Sequence, residues 1–323
     1  MSFGDLTRIN TNVGATAARF QLNNINQELG ETQQRLSTGL RINNAEDDSA
    51  GFSIASKLSG RITGLEQALS NVGDAKSVLG IAEKGINSTV DILVEIKGLA
   101  TQAANDTLGT TERDFIGSQI SALAGEINTI SDQTEFQGVN LLEGAGVDVA
   151  SGAANGTGTT DLTFQVGEGS SDTVSVSVAA LSTNSLFSSL IDADEGDGIA
   201  NIAVANTDTA NPTGTYSAKG DLVIAAGATS SDYRSFIDNV DTAINSVTTS
   251  VNNIGIDQSK LSQREENLTA AITSNSAARS RIIDADFSKE QSNAIRLQIL
   301  QQTATSAFAQ ANSASQSVLS FLG

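Results

Sequence analysis

Residues 65–100 read LEQALSNVGDAKSVLGIAEKGINSTVDILVEIKGLA, and their apolar positions step by three and four without a break: Leu65, Ala68, Val72, Ala75, Leu79, Ala82, Ile86, Thr89, Leu93, Ile96 and Ala100. Only Thr89 is not apolar. A stripe repeating every 3.5 residues over this many turns is the pattern of helices that supercoil around partners. If helical from about Ile54 to Ala104, the segment is roughly 75 Å long at 1.5 Å per residue. A second, shorter stripe follows at Ile116, Ile120, Leu123, Ile127 and Ile130, opened by Thr111 and Asp114 at capping-box spacing. A third runs through Ile237, Val240, Ile244, Val247, Val251, Ile254, Leu261, Leu268 and Ile272, interrupted by Gln258 and Glu265. The three stripes predict a helical bundle in which each buries its apolar face against the others.

The two ends of the chain carry stripes of their own. Ala15, Ala18, Leu22, Ile25, Leu29, Thr32 and Leu36 repeat near the start, and Leu297, Leu300, Ala304, Ala307, Ala311, Ala314, Val318 and Phe321 repeat near the finish. From Leu297 to Gly323 there is no charged residue, and 13 of these 27 residues are Ser, Thr, Asn or Gln. A solvated helix ordinarily carries charge, so this end reads as built to be surrounded by protein. Uncharged polar side chains can be buried there without the desolvation penalty of an ion. Alone, such a helix gains little packing and is expected to be marginal.

Between about Gly146 and Thr229 the apolar period changes to two, at Leu162, Phe164 and Val166, then Val174, Val176 and Val178, then Ile202 and Val204. Gly-rich punctuation and the lone Pro212 mark turns between short strands, so a small β-rich segment interrupts the helical chain. Residues 146–228 hold ten acidic residues against the single basic Lys219. The helix, strand, helix order means that the N- and C-terminal parts must pair across an insertion, which brings the two ends together.

Composition excludes most chemistry. With no Cys, His or Trp among 323 residues, thiol nucleophiles, disulfides, Cys/His zinc sites and His-based acid–base catalysis are ruled out. The net charge of −19 argues against binding a phosphate backbone, so no nucleic-acid partner is expected. No apolar run is long enough to span a bilayer, so no membrane partner is expected either. The start MSFGDLTRINTN lacks the basic segment and apolar core of a cleavable secretion signal, which by itself reads as cytoplasmic. Gly156 with Gly158, and Gly167 with Gly169, lack the rest of a dinucleotide fingerprint, and no P-loop occurs. Asp192, Asp194, Glu195 and Asp197 resemble the start of an EF-hand loop, but Gly196 stands where an oxygen ligand is needed and Ala203 where the bidentate Glu belongs. Glu46, Asp47 and Asp48 are carboxylates beside a helix start, where the helix dipole favours negative charge. Asn87, Asn105 and Asn155 fit the short N-glycosylation pattern, and Ser and Thr in the insertion are candidate O-glycosylation sites. No cofactor, metal or catalytic residue is expected.

The segments RLSTGLRINNAEDDSAGFSIA (35–55), LATQAAND (99–106), TEFQGVNLLEG (134–144) and SRIIDADFSKEQSNAIRLQILQQTATSAFAQANSASQSVLSFLG (280–323) closely resemble bacterial flagellins. The resemblance covers about the first 145 and last 95 residues, with the motifs in the right order. It implies a mainly α chain of three parts. Residues 1–44 and 284–323 are an inner coiled-coil polymerisation domain. Residues 45–145 and 229–283 are a helical core domain with a short β-hairpin near 136–142. Residues 146–228 are a variable, β-rich outer domain. Leu297, Leu300, Ala304, Ala307, Ala311, Ala314, Val318 and Phe321 are then expected to pack with Ala18, Leu22, Ile25, Leu29 and Leu36 in the inner domain. Gly39, Leu40, Arg41, Ile42, Asn43 and Asn44 form the connector to the core.

The implied function is a subunit that polymerises with itself into an extracellular flagellar filament, exported through the flagellar channel without a cleaved signal. Implied partners are an export chaperone at the C-terminus, the filament cap and the hook–filament junction proteins. Two other readings share the resemblance, a hook–filament junction protein and a filament subunit whose outer domain is adhesive. Related sequences usually carry Pro in the final helix, where this chain has Ser315, so a straighter end is expected. Leu93, Glu95, Leu99 and Gln102, with Gln119, correspond to the patch read by the innate-immune flagellin receptor. Glu95 stands in place of the usual Arg and Gln119 in place of an acidic residue, so weak receptor activation is expected.

Overall fold

The structure is a computed structural model, and it describes residues 12–143, 146–147, 154–155, 158–187, 190, 201–206 and 220–320. Helix α1 (Val13–Thr38) is followed by the 55-residue α2 (Ser49–Ala103) and by α3 (Thr110–Gln133). Then come the short strands β1 (Glu135–Phe136), β2 (Val139–Asn140), β3 (Gly146–Val147) and β4 (Ala154–Asn155). The longer β5 (Thr159–Gln165) and β6 (Thr173–Ala179) lead to the single-turn α4 (Thr183–Leu186), then to β7 (Ile202–Asn206) and β8 (Gly220–Ile224). The chain finishes with the 54-residue α5 (Ser230–Ile283) and the 34-residue α6 (Phe287–Ser320). Long helices with a small antiparallel insertion are therefore the architecture. The chain divides into two compact units, residues 1–63 with 271–323, and residues 64–270.

In the second unit the long stripe of α2 is the core. From Ala68 through Ala100 every stripe position is at most 2% exposed, Thr89 included. Thr89 is tolerated because its hydroxyl donates to the Gly85 carbonyl one turn back, at 3.1 Å, so that this buried hydroxyl is paired. Ile116, Ile120 and Ile127 of α3 and Val240, Val247, Ile254, Leu261 and Leu268 of α5 are buried in the same unit. The two polar breaks in the α5 stripe have partners on α2: Gln258 donates to Glu83 at 2.8 Å, and Lys76 reaches Glu265 at 2.9 Å. Lys97 pairs with Asp241 at 2.5 Å, a third α2–α5 link.

One expected cap is displaced. Helix α3 starts at Thr110 with Gly109 as its N-cap and no side-chain cap, which leaves Asp114 past the first turn, too far in to reach the free backbone donors. Asp114 instead accepts the Gly227 backbone N–H at 2.9 Å. The reciprocal cap occurs at α5, where Asp232 accepts from the Thr229 N–H at 2.8 Å and the Asp232 N–H donates to the Thr229 hydroxyl at 3.3 Å. Asn201 donates to the same carboxylate at 2.9 Å, tying the start of β7 to the start of α5.

The insertion consists of two-stranded antiparallel pairs. Leu162 lies opposite Val176 and Phe164 opposite Val174 in β5–β6, and Val204 lies opposite Leu222 in β7–β8. The motif TEFQGVNLLEG forms the β1–β2 hairpin, with Gln137 and Gly138 both at positive φ in the two-residue turn that closes it. Asn140 accepts from the Leu142 and Glu143 N–H groups and donates to the Asp132 carbonyl, which folds Leu141 and Leu142 into full burial. Gly85 of α2 makes room for them: a Cβ there meets Leu142 Cδ1 at 2.6 Å and Thr134 Oγ1 at 2.8 Å. The EF-hand-like stretch 192–197 and Pro212 lie outside the described residues.

Replacing Gly85 with Ala is expected to destabilise residues 64–270 by about 1–3 kcal/mol, the usual cost of an overpacked core. Thermal unfolding followed by circular dichroism checks this, with the exposed Gly98→Ala as the control that leaves the transition unchanged or slightly raised.

Candidate assembly site at the paired ends of the chain

Helix α1 meets α6 as an antiparallel pair. Asn12, the N-cap of α1, accepts from the Ala15 N–H at 2.9 Å and donates to the Ala311 carbonyl at 3.0 Å. Further along, Gln301 donates to Asn26 Oδ1 at 2.7 Å, and Leu40 forms an antiparallel bridge with Asp284. Between these ties Ile25, Leu29 and Leu297 form a buried cluster with Ala304 packed against it. Ala15 and Thr32 of α1 are also buried, and Thr32 satisfies its hydroxyl on the Glu28 carbonyl at 2.9 Å.

The expected interface residues divide into two groups. Ile25, Leu29 and Leu297 are buried, and Ala18, Leu22, Leu36, Ala304 and Ala311 are half-buried. Leu300, by contrast, is 43% exposed, and Ala307 is exposed as well. Ala314 and Val318 fall within α6, but their side chains lie outside what is described, as does Phe321 altogether. The face that α6 turns inward runs instead through Ala294, Leu297, Gln301, Ala304, Phe308 and Ala311, all buried or half-buried. Ile295 and Ile299 are 49% and 59% exposed on the far side, and Phe20 of α1 is 67% exposed. An α-helix apolar on this much of its circumference is one that is buried on several sides. Hydroxyls in its middle are satisfied by the helix itself: Thr303 donates to Ile299, Thr305 to Gln301 and Ser306 to Gln302, each to the carbonyl one turn back.

The connector Gly39–Asn44 owes its shape to a dense set of backbone bonds. Gly39 ends α1 at φ 71°, a left-handed conformation that glycine adopts without strain. Its carbonyl accepts from the Ala285 N–H at 2.9 Å, and the Arg41 N–H and guanidinium donate to the carbonyls of Ile283 and Ile282, both at 2.6 Å. Ile42 is buried with Ala55 and Ile283, with Leu40 and Ile282 packed against them. Asn43 turns its side chain to the Leu40 carbonyl at 3.1 Å. The acidic triplet that follows serves this turn. Asp47 accepts the Asn43 and Asn44 N–H groups at 2.9 and 3.0 Å, and Asp48 accepts the Gly51 N–H at 2.9 Å in the first turn of α2. The two Asn N–H donors, Asn44 first, hold the Asp47 carboxyl below its ordinary value of 3.8.

Of the receptor-like patch, Leu93 is fully buried within the α2 stripe, whereas Glu95, Gln102 and Gln119 are exposed and Leu99 is half-buried. Charge is divided unevenly along the chain. Residues 1–63 with 271–323 carry ten Lys plus Arg against nine Asp plus Glu, whereas residues 64–270 carry eight against twenty-eight. Among the described residues there is no group of acidic side chains placed to hold a metal ion, and no helix is long and apolar enough to cross a membrane.

A helical chain whose two ends pair while leaving apolar faces uncovered is the build of a self-assembling structural protein. Residues 9–146 match the family model of the bacterial flagellin N-terminal helical region, and residues 237–322 match that of the C-terminal helical region. Flagellin of Bacillus subtilis strain 168 is 34% identical over 320 residues, covering 98% of this chain and 99% of that protein. The flagellar filament 33 kDa core protein of Treponema phagedenis is 30% identical, covering 97% of this chain and 99% of that protein. The crystal structure of Bacillus cereus flagellin, at 22% identity, covers 62% of this chain and 88% of that one with a TM-score of 0.41, too loose an overlap to argue from. This chain belongs to the bacterial flagellin family.

The connector is expected to be acid-sensitive. A carboxyl whose folded pKa is depressed stabilises the fold above its unfolded value, and that contribution is lost as pH falls through the folded midpoint, here below 3.8. NMR of the Asn43 and Asn44 amides is expected to show both shifting together at a pH below 3.8, and Asp47→Asn is expected to abolish that transition.

Proposed function

We propose that this chain is the structural subunit of a bacterial flagellar filament, polymerising through its terminal helices into the helical propeller that drives swimming. The observation that carries this reading is α6. One face pairs with α1 while Ile295, Ile299 and Leu300 remain exposed, a surface that neighbouring subunits complete. Assembly then couples folding to association, because the marginal terminal helices gain order as neighbours bury those faces.

In this reading residues 1–44 and 284–323 form the inner polymerisation domain, with Ala18, Leu22, Ile25, Leu29, Leu36, Leu297, Ala304 and Ala311 holding the two ends together. Leu300 and Ala307 then face other subunits. Gly39–Asn44 connect to a core of 45–145 and 229–283, and 146–228 face outward. The subunit leaves the cell through the flagellar export channel without a cleaved signal. It meets an export chaperone at its C-terminus before export, then the cap and the hook–filament junction proteins at the filament's ends. With Leu93 buried and Glu95 and Gln119 in place of the expected charges, the innate-immune receptor is at most a weak partner. Near-full-length similarity to filament flagellins favours this role over a hook–filament junction protein.

Sedimentation and negative-stain electron microscopy of the purified chain are expected to show tubular filaments, lost when residues 1–44 or 284–323 are removed; a full chain that stays monomeric when seeded with filament fragments overturns the reading. Because the excess negative charge sits in residues 64–270, moderate salt is expected to speed polymerisation by screening repulsion between subunits. Turbidity against ionic strength checks this, and a rate that falls steadily from low salt upward contradicts it.

A further inference from the structure

Helix α6 contains two overlapping heptad stripes, and the pair with α1 uses the less apolar one. Both share Leu297, Ala304 and Ala311. One completes the pattern with Leu300 and Ala307, the other with Gln301 and Phe308, and at 100° per residue their centres lie roughly 40° apart round the helix. By the count of apolar residues the first is favoured. Yet Gln301 is half-buried on the α1 side while Leu300 is 43% exposed and Ala307 is exposed. Of the two side chains that distinguish this stripe, Phe308 is half-buried and Gln301 is the one with a polar partner, its Nε2 donating to Asn26 Oδ1 at 2.7 Å.

We propose that Asn26 and Gln301 are positioning residues that select which face of α6 pairs with α1, holding the more apolar Leu300–Ala307 face outward for a neighbouring subunit. Asn26 is exposed and Gln301 half-buried, so the pair lies at the edge of the seam, where polar partners on flanking positions set which helix faces meet. Turning α6 to bury Leu300 separates Gln301 from Asn26 and takes the outward face out of use. The outward half of the proposal rests on the filament reading above; the face selection does not.

The absence of Cys allows a direct test, because an introduced cysteine is the sole thiol in the chain. Ala307→Cys and Ala304→Cys are each labelled with a maleimide in the soluble full-length chain, alone and combined with Asn26→Leu and Gln301→Leu. In the otherwise unaltered chain, position 307 is expected to label several-fold faster than 304. With both Leu substitutions the ratio is expected to fall toward one, while the pair melts at a higher temperature and filament yield drops. Asn26→Asp, which keeps the acceptor, is expected to retain the original ratio. A ratio unchanged by the Leu substitutions overturns the proposal, and so does equal labelling in the unaltered chain, whether or not that chain polymerises. Loss of filaments with an unchanged labelling ratio also counts against it, because assembly is then disturbed by some route other than rotation of α6.

Discussion

The antiparallel contact between the two ends of the chain is the constraint on which the terminal unit depends. Neither α1 nor α6 has a self-sufficient core: the buried cluster is Ile25 and Leu29 from one and Leu297 from the other. Helices brought together from nearly opposite ends of a 323-residue sequence incur a large loop-closure cost. Hydrogen bonds at the turn offset part of it, since Gly39 and Arg41 lock the exit of α1 against the residues that precede α6, and Asp47 holds the connector's own Asn43 and Asn44 amides. Interior packing and connector geometry are thus one device, and the polar ties at Asn12–Ala311 and Asn26–Gln301 set how the helices meet along their length.

The second unit is held by a different balance. Its α2 stripe is buried almost without a gap, and its polar positions are answered locally, Thr89 by its own helix and Gln258 and Glu265 by α2. That self-sufficiency explains how this unit can carry a charge excess that the terminal unit lacks. Charges on a well-packed unit cost solvation only where they are buried, whereas a surface that must lie against copies of itself has to keep like charges off it.

Much of this was legible in the residues. The 3.5-residue stripe of 65–100 predicts the α2 core position by position, and the alternation at 162–166 and 174–178 predicts the β5–β6 hairpin, because in both the period reports directly which side is buried. The α6 face was not legible. Counting apolar residues favours Leu300 and Ala307, and nothing in the helix's own sequence reveals that Gln301 finds Asn26 some 275 positions away. The α3 cap failed for a local reason: Thr111 and Asp114 have the right spacing, but the N-cap falls two residues earlier, on Gly109, so the spacing is satisfied at the wrong place. The working cap at Thr229 and Asp232 has the same sequence signature, but it lies where the apolar period changes from strand to helix and no stripe marks the helix start. The role of Asp47 was half visible: acidity beside a helix start was evident, but its donors proved to be the connector amides, with Asp48 serving α2.

The hydroxyls of α6 have a consequence of their own. Thr303, Thr305 and Ser306 each carry an internal acceptor one turn back, so each has its donor used whether the helix is in water or against another chain. Moving such a side chain from one surrounding to the other leaves the bond it donates intact. The helix is therefore amphibious. It can pass from water to a protein neighbour without choosing that neighbour by hydroxyl geometry, leaving shape and the few amide side chains to decide who lies beside it.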